Sequence, residues 1–346
     1  MNKVVIASVR KSAGKTSAII GISAAFKKKI AYLKPFGDRM VYRENKLWDH
    51  DAALVIDIFG LPEIPGDMSL GFEHSKLRYA YDEEGTKQKI LKVIAHIRNE
   101  REILFIEGGK DFSYGISVHL DALSLVKYTG GKLFIVVGGE EDSILDDLIF
   151  MKRHVDLTGI NLGGVIVNKV QKLKDFQKFR LPAICDLGLR VLGVIPYQGE
   201  LSCFPAQYLI DHLSARVITG EGGLEKSIKN IVIGAWSANV FLQNPVFKKE
   251  KKLVITGGDR TDMILAALES DTSAIILTNN ILPPSNIIYK AEEHNIPLLM
   301  VSTDTYQTAR QIESLEPLLT KDDGEKVELL RQLFLKNLKL DEFLSN

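Results

Sequence analysis

Short apolar runs rich in β-branched residues recur along the chain, and longer segments with helical spacing separate them. The segment Thr86–His96, for example, places Ile90, Val93 and Ile94 on one helix face. Strands that alternate with helices in this way predict a mostly parallel, doubly wound sheet, so the predicted fold class is α/β. In the first part of the chain the predicted strands are residues 4–7, 30–33, 102–106, 132–137, 163–167 and 190–196.

The first predicted strand leads into a loop that ends in Gly14, Lys15 and Thr16, at the start of a helix of small and apolar residues. This context predicts a phosphate-binding loop (P-loop), because the free N–H groups and the dipole of a helix N-terminus attract anions. Lys15 adds a positive charge at the β- and γ-phosphates, and the Thr16 hydroxyl is a ligand for Mg²⁺. An ordinary helix cap is the alternative for the tripeptide alone, but its flanking elements favour ATP with Mg²⁺. The predicted nucleotide-binding residues of the loop are Ser12, Ala13, Gly14, Lys15, Thr16 and Ser17.

Other polar residues directly follow predicted strands. Lys34, Glu107 and Asn168 each stand at such a position, and in a parallel sheet they share one edge with the phosphate-binding loop. Glu107 ends a buried strand before two glycines, which favours a metal-coordinating carboxylate over a solvated strand end. Asp51 begins an apolar helical stretch, where it either caps the helix or supplies one metal ligand.

Composition narrows the class of protein. Lysine plus arginine and aspartate plus glutamate both number 44, so the formal net charge is zero and no basic field points to nucleic acid. The two cysteines are too few for a disulfide framework and fit a reducing cytoplasm. No apolar run approaches the ~20 residues of a membrane span. The chain enters a strand almost at once, so we expect no signal peptide. The expected partners are therefore a nucleotide and a small molecule in the cytoplasm, without nucleic acid or membrane.

Five further motifs occur in a consistent order after the phosphate-binding loop: Leu33–Phe36, His50–Leu54, Ile106–Gly109, Val167–Lys169 and Leu192–Pro196. Together they resemble dethiobiotin synthetase and, more closely, the similar N-terminal region of long phosphotransacetylases, over about residues 1–215. The resemblance implies a P-loop fold that binds ATP and Mg²⁺. It also implies these roles: Thr16, Asp51 and Glu107 as Mg²⁺ ligands, Lys15 and Lys34 at the reacting groups, and Asn168 with Lys169 at the nucleotide.

This resemblance has limits within the loop itself. Arg10 and Lys11 stand where the synthetase loop is acidic, and the segment after Lys34 lacks the synthetase's substrate loop. The nucleotide half of the synthetase site is therefore implied, whereas its diamino-acid substrate half is not. The loop also resembles that of the MinD-like ATPases, which would make the protein a dimerisation switch, but Arg10 replaces the signature lysine of those ATPases.

The second half of the chain, residues 216–325, continues the βα alternation without a phosphate-binding loop of its own. Asp259-Arg260-Thr261 and the segment Thr303–Thr308 resemble motifs of a DRTGG domain, which implies a smaller ligand-sensing or oligomerising α/β domain and a homodimer. Residues 326–346 predict an amphipathic helix that packs on a domain or a partner. A phosphotransacetylase would continue into its acyltransferase domain at this point, so we do not expect that activity.

Two functions remain open at this stage. The first is an ATP-dependent enzyme, similar to a ligase or synthetase, that acts on a small carboxylate or amine metabolite. The second is a nucleotide-binding regulatory or scaffold protein with little turnover, in which the DRTGG-like domain senses a metabolite.

Overall fold

The computed structural model describes residues 1–26, 28–43, 45–97, 100–234, 245, 247–315 and 318–344. The last two residues of the predicted C-terminal helix therefore lie outside the described residues. The chain divides into two compact units, one made of Met1–Tyr197 with Leu319–Asn346 and the other of Gln198–Leu318. The predicted division at 215/216 falls inside the second unit, and the C-terminal segment belongs to the first unit.

A parallel sheet forms the centre of the first unit. Its strand order is β2-β5-β1-β6-β7-β8, so the chain crosses from β1 to the edge strand β2, returns to β5 beside β1, and then continues through β6 and β7 to the other edge at β8. The predicted α/β class with a doubly wound sheet is thus confirmed. The strands of this unit are β1 (Asn2–Ser8), β2 (Ile30–Leu33), β3 (Met40–Arg43), β4 (Lys46–Asp49), β5 (Ile103–Glu107), β6 (Lys132–Gly138), β7 (Leu162–Val170) and β8 (Val191–Pro196).

Helices follow most of these strands. The helix that sequence periodicity places at Thr86–His96 begins three residues earlier, because the Asp82 carboxylate caps it by accepting from the N–H of Gly85. The antiparallel hairpin of β3 and β4 was not predicted. The helices are α1 (Lys15–Phe26), α2 (His50–Phe59), α3 (His74–Ala80), α4 (Glu83–His96), α5 (Ala122–Thr129), α6 (Glu141–His154), α7 (Leu173–Phe179) and α8 (Leu181–Asp186).

The second unit contains a sheet in the order β10-β15-β14-β13-β12, in which only β10 runs antiparallel to its neighbour. Apolar clusters cover both faces of this sheet. Its strands are β9 (Phe204–Pro205), β10 (Arg216–Thr219), β11 (Ser227–Ile228), β12 (Asn230–Ile233), β13 (Lys252–Gly257), β14 (Thr272–Thr278) and β15 (Leu298–Met300). Its helices are α9 (Ala206–Leu213), α10 (Thr261–Leu268), α11 (Ser285–Glu293) and α12 (Thr305–Glu313).

The C-terminal segment forms α13 (Gly324–Asn337) and α14 (Leu340–Leu344), which pack on the first unit. The Phe334 ring fills the space beside Gly21 of α1, where a Cβ would lie 2.3 Å from its Cδ2 atom. The Phe343 ring stacks on Phe134 of β6 with ring centroids 4.1 Å apart. The Lys339 N–H donates to the Leu192 carbonyl of β8 at 2.9 Å. The C-terminal helix was predicted to pack on a domain or on a partner. In the structure it packs on a domain of the same chain.

We expect Phe334→Ala to lower the free energy of unfolding of the first unit by about 3–5 kcal/mol, because it leaves a cavity against α1. Leu335→Ala is the matched control on the same helix, since Phe334 is fully buried and Leu335 is 44% exposed. Urea unfolding of the full chain measures both variants, and similar losses in the two would contradict the observed packing.

Candidate functional site

The predicted phosphate-binding loop connects the end of β1 to the first residue of α1 at Lys15. Gly14 has φ of 92°, and a Cβ at this position would lie only 2.4 Å from Nδ2 of Asn168. Only glycine satisfies both conditions without strain. Of the predicted nucleotide-binding residues, Ser12, Ala13 and Gly14 lie in this loop, and Lys15, Thr16 and Ser17 form the first turn of α1.

Two residues near the carboxyl end of β7 donate hydrogen bonds to the backbone of the loop. The Asn168 side-chain amide donates to the Ala13 carbonyl at 3.0 Å, and the Lys169 ammonium donates to the Ser12 carbonyl at 2.8 Å. Asn168 and Lys169 were predicted at the nucleotide, and the structure places both against the backbone of the phosphate-binding loop. Their contact with the nucleotide stays a prediction.

The Lys15 ammonium is directed at the carboxyl end of the sheet. It donates to the Ser8 hydroxyl at 2.9 Å and to the Lys110 carbonyl at 3.2 Å, both of which are neutral oxygens. Burial lowers the pKa of this ammonium. The β1–α1 junction thus holds a buried positive charge at the position where the sequence predicts phosphates.

Glu107 ends β5 and connects three elements. Its Oε1 atom accepts from the Thr16 hydroxyl at 3.0 Å, and its Oε2 atom accepts from the Tyr32 hydroxyl at 2.9 Å. Burial raises the pKa of the Glu107 carboxyl to about 7, although Lys34 and Lys15 act in the opposite direction. Sequence reasoning missed Tyr32, although the alternation of side chains along β2 and β5 could have pointed to it. Tyr32 is in register with Phe105, so strand alternation places Glu107 on the same sheet face.

Lys34 lies at the centre of a buried group of four carboxylates, which we call the carboxylate cluster: Asp38, Asp49, Asp51 and Glu107. Its Nζ atom contacts Asp51 directly, and it lies 2.6 Å from Asp38, 3.5 Å from Asp49 and 3.7 Å from Glu107. The side chain of Lys34 is only 2% exposed. Burial alone would lower the pKa of this ammonium, but the carboxylates, Glu107 and Asp51 foremost, raise it well above its ordinary value.

Asp49 and Asp51 have different roles at the start of α2. Asp49 is the helix cap, because its Oδ1 atom accepts from the N–H groups of Asp51 and Ala52. Its Oδ2 atom accepts from the N–H groups of Asp38 and Arg39, and burial raises the pKa of this carboxyl. The capping alternative for Asp51 is therefore wrong.

The Asp51 side chain instead faces the cations Lys34 and Arg39 and the ring of His50. Its Oδ1 atom lies 3.4 Å from the Arg39 guanidinium and 3.6 Å from Nδ1 of His50, while its Oδ2 atom contacts Lys34. Burial opposes ionisation of Asp51, but Lys34, His50 and Arg39 hold the pKa of its carboxyl well below its usual range. Asp51 is thus a buried anion in a setting that favours its charged form. No local sequence signal distinguished it from Asp49, which stands two residues earlier.

The predicted metal ligands can be tested against the preferences of Mg²⁺. The 3.0 Å between Thr16 Oγ1 and Glu107 Oε1 matches the separation of neighbouring ligands on an octahedral Mg²⁺, about 3.0 Å for bonds of 2.0–2.1 Å. Asp51, which Lys34 contacts together with Glu107, supplies a third oxygen group, so the donor set is of the kind that Mg²⁺ prefers. Within the described residues, however, no group of three or more His, Cys, Asp or Glu side chains is arranged to hold a metal ion. The Lys34 ammonium is the cation that contacts both Asp51 and Glu107.

Across the described ranges, no helix is both long and apolar enough to span a membrane.

Comparison with known proteins divides the chain in two. Residues 2–203 match the family described as an AAA domain, and residues 208–315 match the DRTGG domain. The phosphate acetyltransferase of Nitratidesulfovibrio vulgaris is 22% identical over 378 residues, which cover 99% of this chain and 51% of that protein. The phosphate acetyltransferase of Synechocystis sp. is 24% identical over 351 residues, which cover 96% of this chain and 50% of that protein. The chain thus spans about half the length of these relatives.

A solved structure also matches. It contains the CBS and DRTGG domains of the regulatory region of Clostridium perfringens pyrophosphatase, complexed with the activator diadenosine tetraphosphate. Its TM-score is 0.28 at 20% identity, and the match covers 48% of this chain and 84% of that one.

The two family matches and the two phosphate acetyltransferases confirm the resemblance that the motifs indicated, and they cover both halves of the chain. The chain belongs to the AAA domain family of P-loop proteins, in its dethiobiotin synthetase-like form, with a DRTGG domain after it, as in the N-terminal region of phosphate acetyltransferases.

Proposed function

We propose that this chain binds ATP with Mg²⁺ and transfers the γ-phosphoryl group to a small carboxylate or carbamate, in the manner of an ATP-dependent ligase or synthetase. One observation carries this proposal. Four elements bring their residues together at the carboxyl edge of one parallel sheet: α1 with Lys15 and Thr16, the end of β2 with Lys34, α2 with Asp51, and β5 with Glu107.

Lys15 and the N–H groups of the loop hold the phosphates in this proposal. The described hydrogen bonds of Lys15 go to a hydroxyl and a carbonyl, so phosphate oxygens can replace them without breaking an ion pair. Asn168 and Lys169 keep the loop in its conformation through the Ala13 and Ser12 carbonyls. Preorganised donors of this kind cost little reorganisation when the phosphate charge shifts.

Thr16, Asp51 and Glu107 would hold Mg²⁺, which neutralises charge on the β- and γ-phosphates when bound. Lys34 lies next to two of these residues and carries a positive charge that its surroundings strongly favour. We assign it the neutralisation of an acceptor carboxylate during transfer. Catalysis then rests on positioning and electrostatics, as is usual for phosphoryl transfer.

A second candidate is a nucleotide-binding regulatory protein with little turnover, whose DRTGG domain senses a metabolite. The relatives named phosphate acetyltransferase are about twice as long as this chain, so in them this pair of domains accompanies a further region. Phosphate release from ATP, measured with a panel of carboxylate and amine acceptors, separates the two candidates. Turnover that rises many-fold with one acceptor supports the enzyme, and binding without turnover supports the regulator.

The compartment, the partners and the oligomeric state that we propose are the same for both candidates. We propose a homodimer in the cytoplasm whose partners are a nucleotide and a small acceptor or effector, without nucleic acid or membrane. The balanced charge supports the exclusion of nucleic acid, and the two free thiols support a reducing compartment. The proposed homodimer rests on the match to the DRTGG domain. Light scattering of the purified chain measures the oligomeric state.

We expect Lys15→Ala to weaken ATP binding by at least about tenfold, because it removes the charge that faces the phosphates. Isothermal titration calorimetry with ATP and Mg²⁺ measures the effect. Lys11→Ala is the matched control, since Lys11 is an exposed residue of the same loop. Unchanged ATP affinity in Lys15→Ala would exclude the proposed phosphate site.

We expect Glu107→Gln to reduce by about tenfold the gain in ATP affinity that Mg²⁺ provides, because an amide is a poorer ligand for a hard cation than a carboxylate. Glu102→Gln is the control at the opposite end of β5, where the side chain is 52% exposed. Titrations with ATP in Mg²⁺ and in EDTA give the ratio. If the ratio in Glu107→Gln equals that of the wild type, Glu107 is not a metal ligand.

A further inference from the structure

Lys34 occupies the space that the predicted metal ligands share. We infer that Lys34 is a tethered cation that stands in for Mg²⁺ between Asp51 and Glu107, so that the protein binds a divalent cation only together with the nucleotide. This inference rests on the proposed function and specifies the order in which its ligands bind. It follows from three features of the site.

The first feature is the contact pattern of the two acids. Glu107 Oε1 lies 3.0 Å from the Thr16 hydroxyl and 3.7 Å from the Lys34 ammonium, while Tyr32 contacts Oε2. On Asp51, Lys34 contacts Oδ2, whereas Arg39 and His50 lie near Oδ1. Among the described ion pairs, Lys34 is the cation that reaches both carboxylates of the three predicted metal ligands. Its charge is therefore located where a bound metal ion would be.

The second feature is the electrostatic balance of the carboxylate cluster. Buried carboxylates are stable only when a cation or hydrogen bonds compensate them, and Lys34 contacts all four members of the cluster. A divalent cation in contact with the same oxygens would lie within a few ångströms of the ammonium. In a site of low dielectric constant such repulsion is strong. The two cations therefore compete unless a new anion enters.

The third feature is that hydrogen bonds hold the backbone of Lys34 in place, so that any change in its contacts must come from the side chain. Its N–H donates to the Met68 carbonyl at 3.1 Å, and its carbonyl accepts from the Ser69 hydroxyl at 2.8 Å. Pro35 follows it and restricts its backbone to an extended conformation. A triphosphate held by Lys15 supplies the new anion, toward which the ammonium can turn. Nucleotide and metal then favour each other's binding, as linkage requires.

The test measures Mn²⁺ binding by electron paramagnetic resonance, with and without a non-hydrolysable ATP analogue. We expect the wild-type chain to bind Mn²⁺ only with the analogue. Without the analogue, we expect Lys34→Met to bind Mn²⁺ at least tenfold more tightly than the wild type. Lys29→Met is the matched control, because it removes the same charge just before the opposite end of β2 and its side chain is 67% exposed. It should behave as the wild type.

Thermal unfolding provides a second readout, since Lys34→Met leaves the carboxylate cluster without its cation. Mn²⁺ without nucleotide should raise the Tm of this variant, or restore its fold if it is unfolded, and should leave the Tm of the wild type unchanged. A folded variant that binds no Mn²⁺ would overturn the inference. If the variant stays unfolded with Mn²⁺, the test rests on the wild-type chain. Equal Mn²⁺ affinity with and without the analogue would then overturn the inference. Mn²⁺ binding that requires the analogue would support it. A wild-type chain that binds neither the analogue nor Mn²⁺ would instead refute the proposed function.

Discussion

The first unit depends most on the compensation of buried negative charge by Lys34. Four carboxylates from three separate segments surround one ammonium, and the cost of burying them is recovered only when all segments are in place. The end of β2, the start of α2 and the end of β5 are thereby held at a common point. Thr16 then joins α1 to the same point through Glu107. The interaction that compensates the buried charge therefore also assembles the candidate site.

The sheet topology explains why these residues meet at one edge. Parallel strands place their carboxyl ends on the same side, so β1, β2, β5 and β7 each contribute a polar residue to that side. The contributions differ in kind. Asn168 and Lys169 fix the backbone of the phosphate-binding loop, whereas Lys34 and Glu107 set the local charge. The backbone geometry of the phosphate-binding loop and the local charge of the site thus depend on different strands.

Sequence reasoning found the parts of the site that carry a local signal. Apolar runs located the strands, the Gly-Lys-Thr pattern located the loop, and strand ends pointed to Lys34, Glu107 and Asn168. It missed Asp38 and Tyr32 and left the cap of α2 open, because these depend on how distant segments meet. Whether Asp49 or Asp51 caps a helix is decided by the backbone angles of one residue, since Asp49 is extended and Asp51 is helical. A two-residue shift of this kind changes which carboxylate is directed at Lys34.

The sequence indicated that α1 needs a covering element, but it did not indicate that the C-terminal helix is that element. Residues 15–26 are small or apolar almost all round, and a helix of this composition must be covered on every side. The sheet covers one side of α1, so a further element had to cover the other. Nothing local identified that element, because α13 lies some three hundred residues later in the chain, beyond the whole second unit. Phe334 beside Gly21 meets this need, and it does so on the helix whose first turn carries Lys15 and Thr16. The helix that begins at the phosphate-binding loop is therefore covered by the last helices of the chain as well as by the sheet.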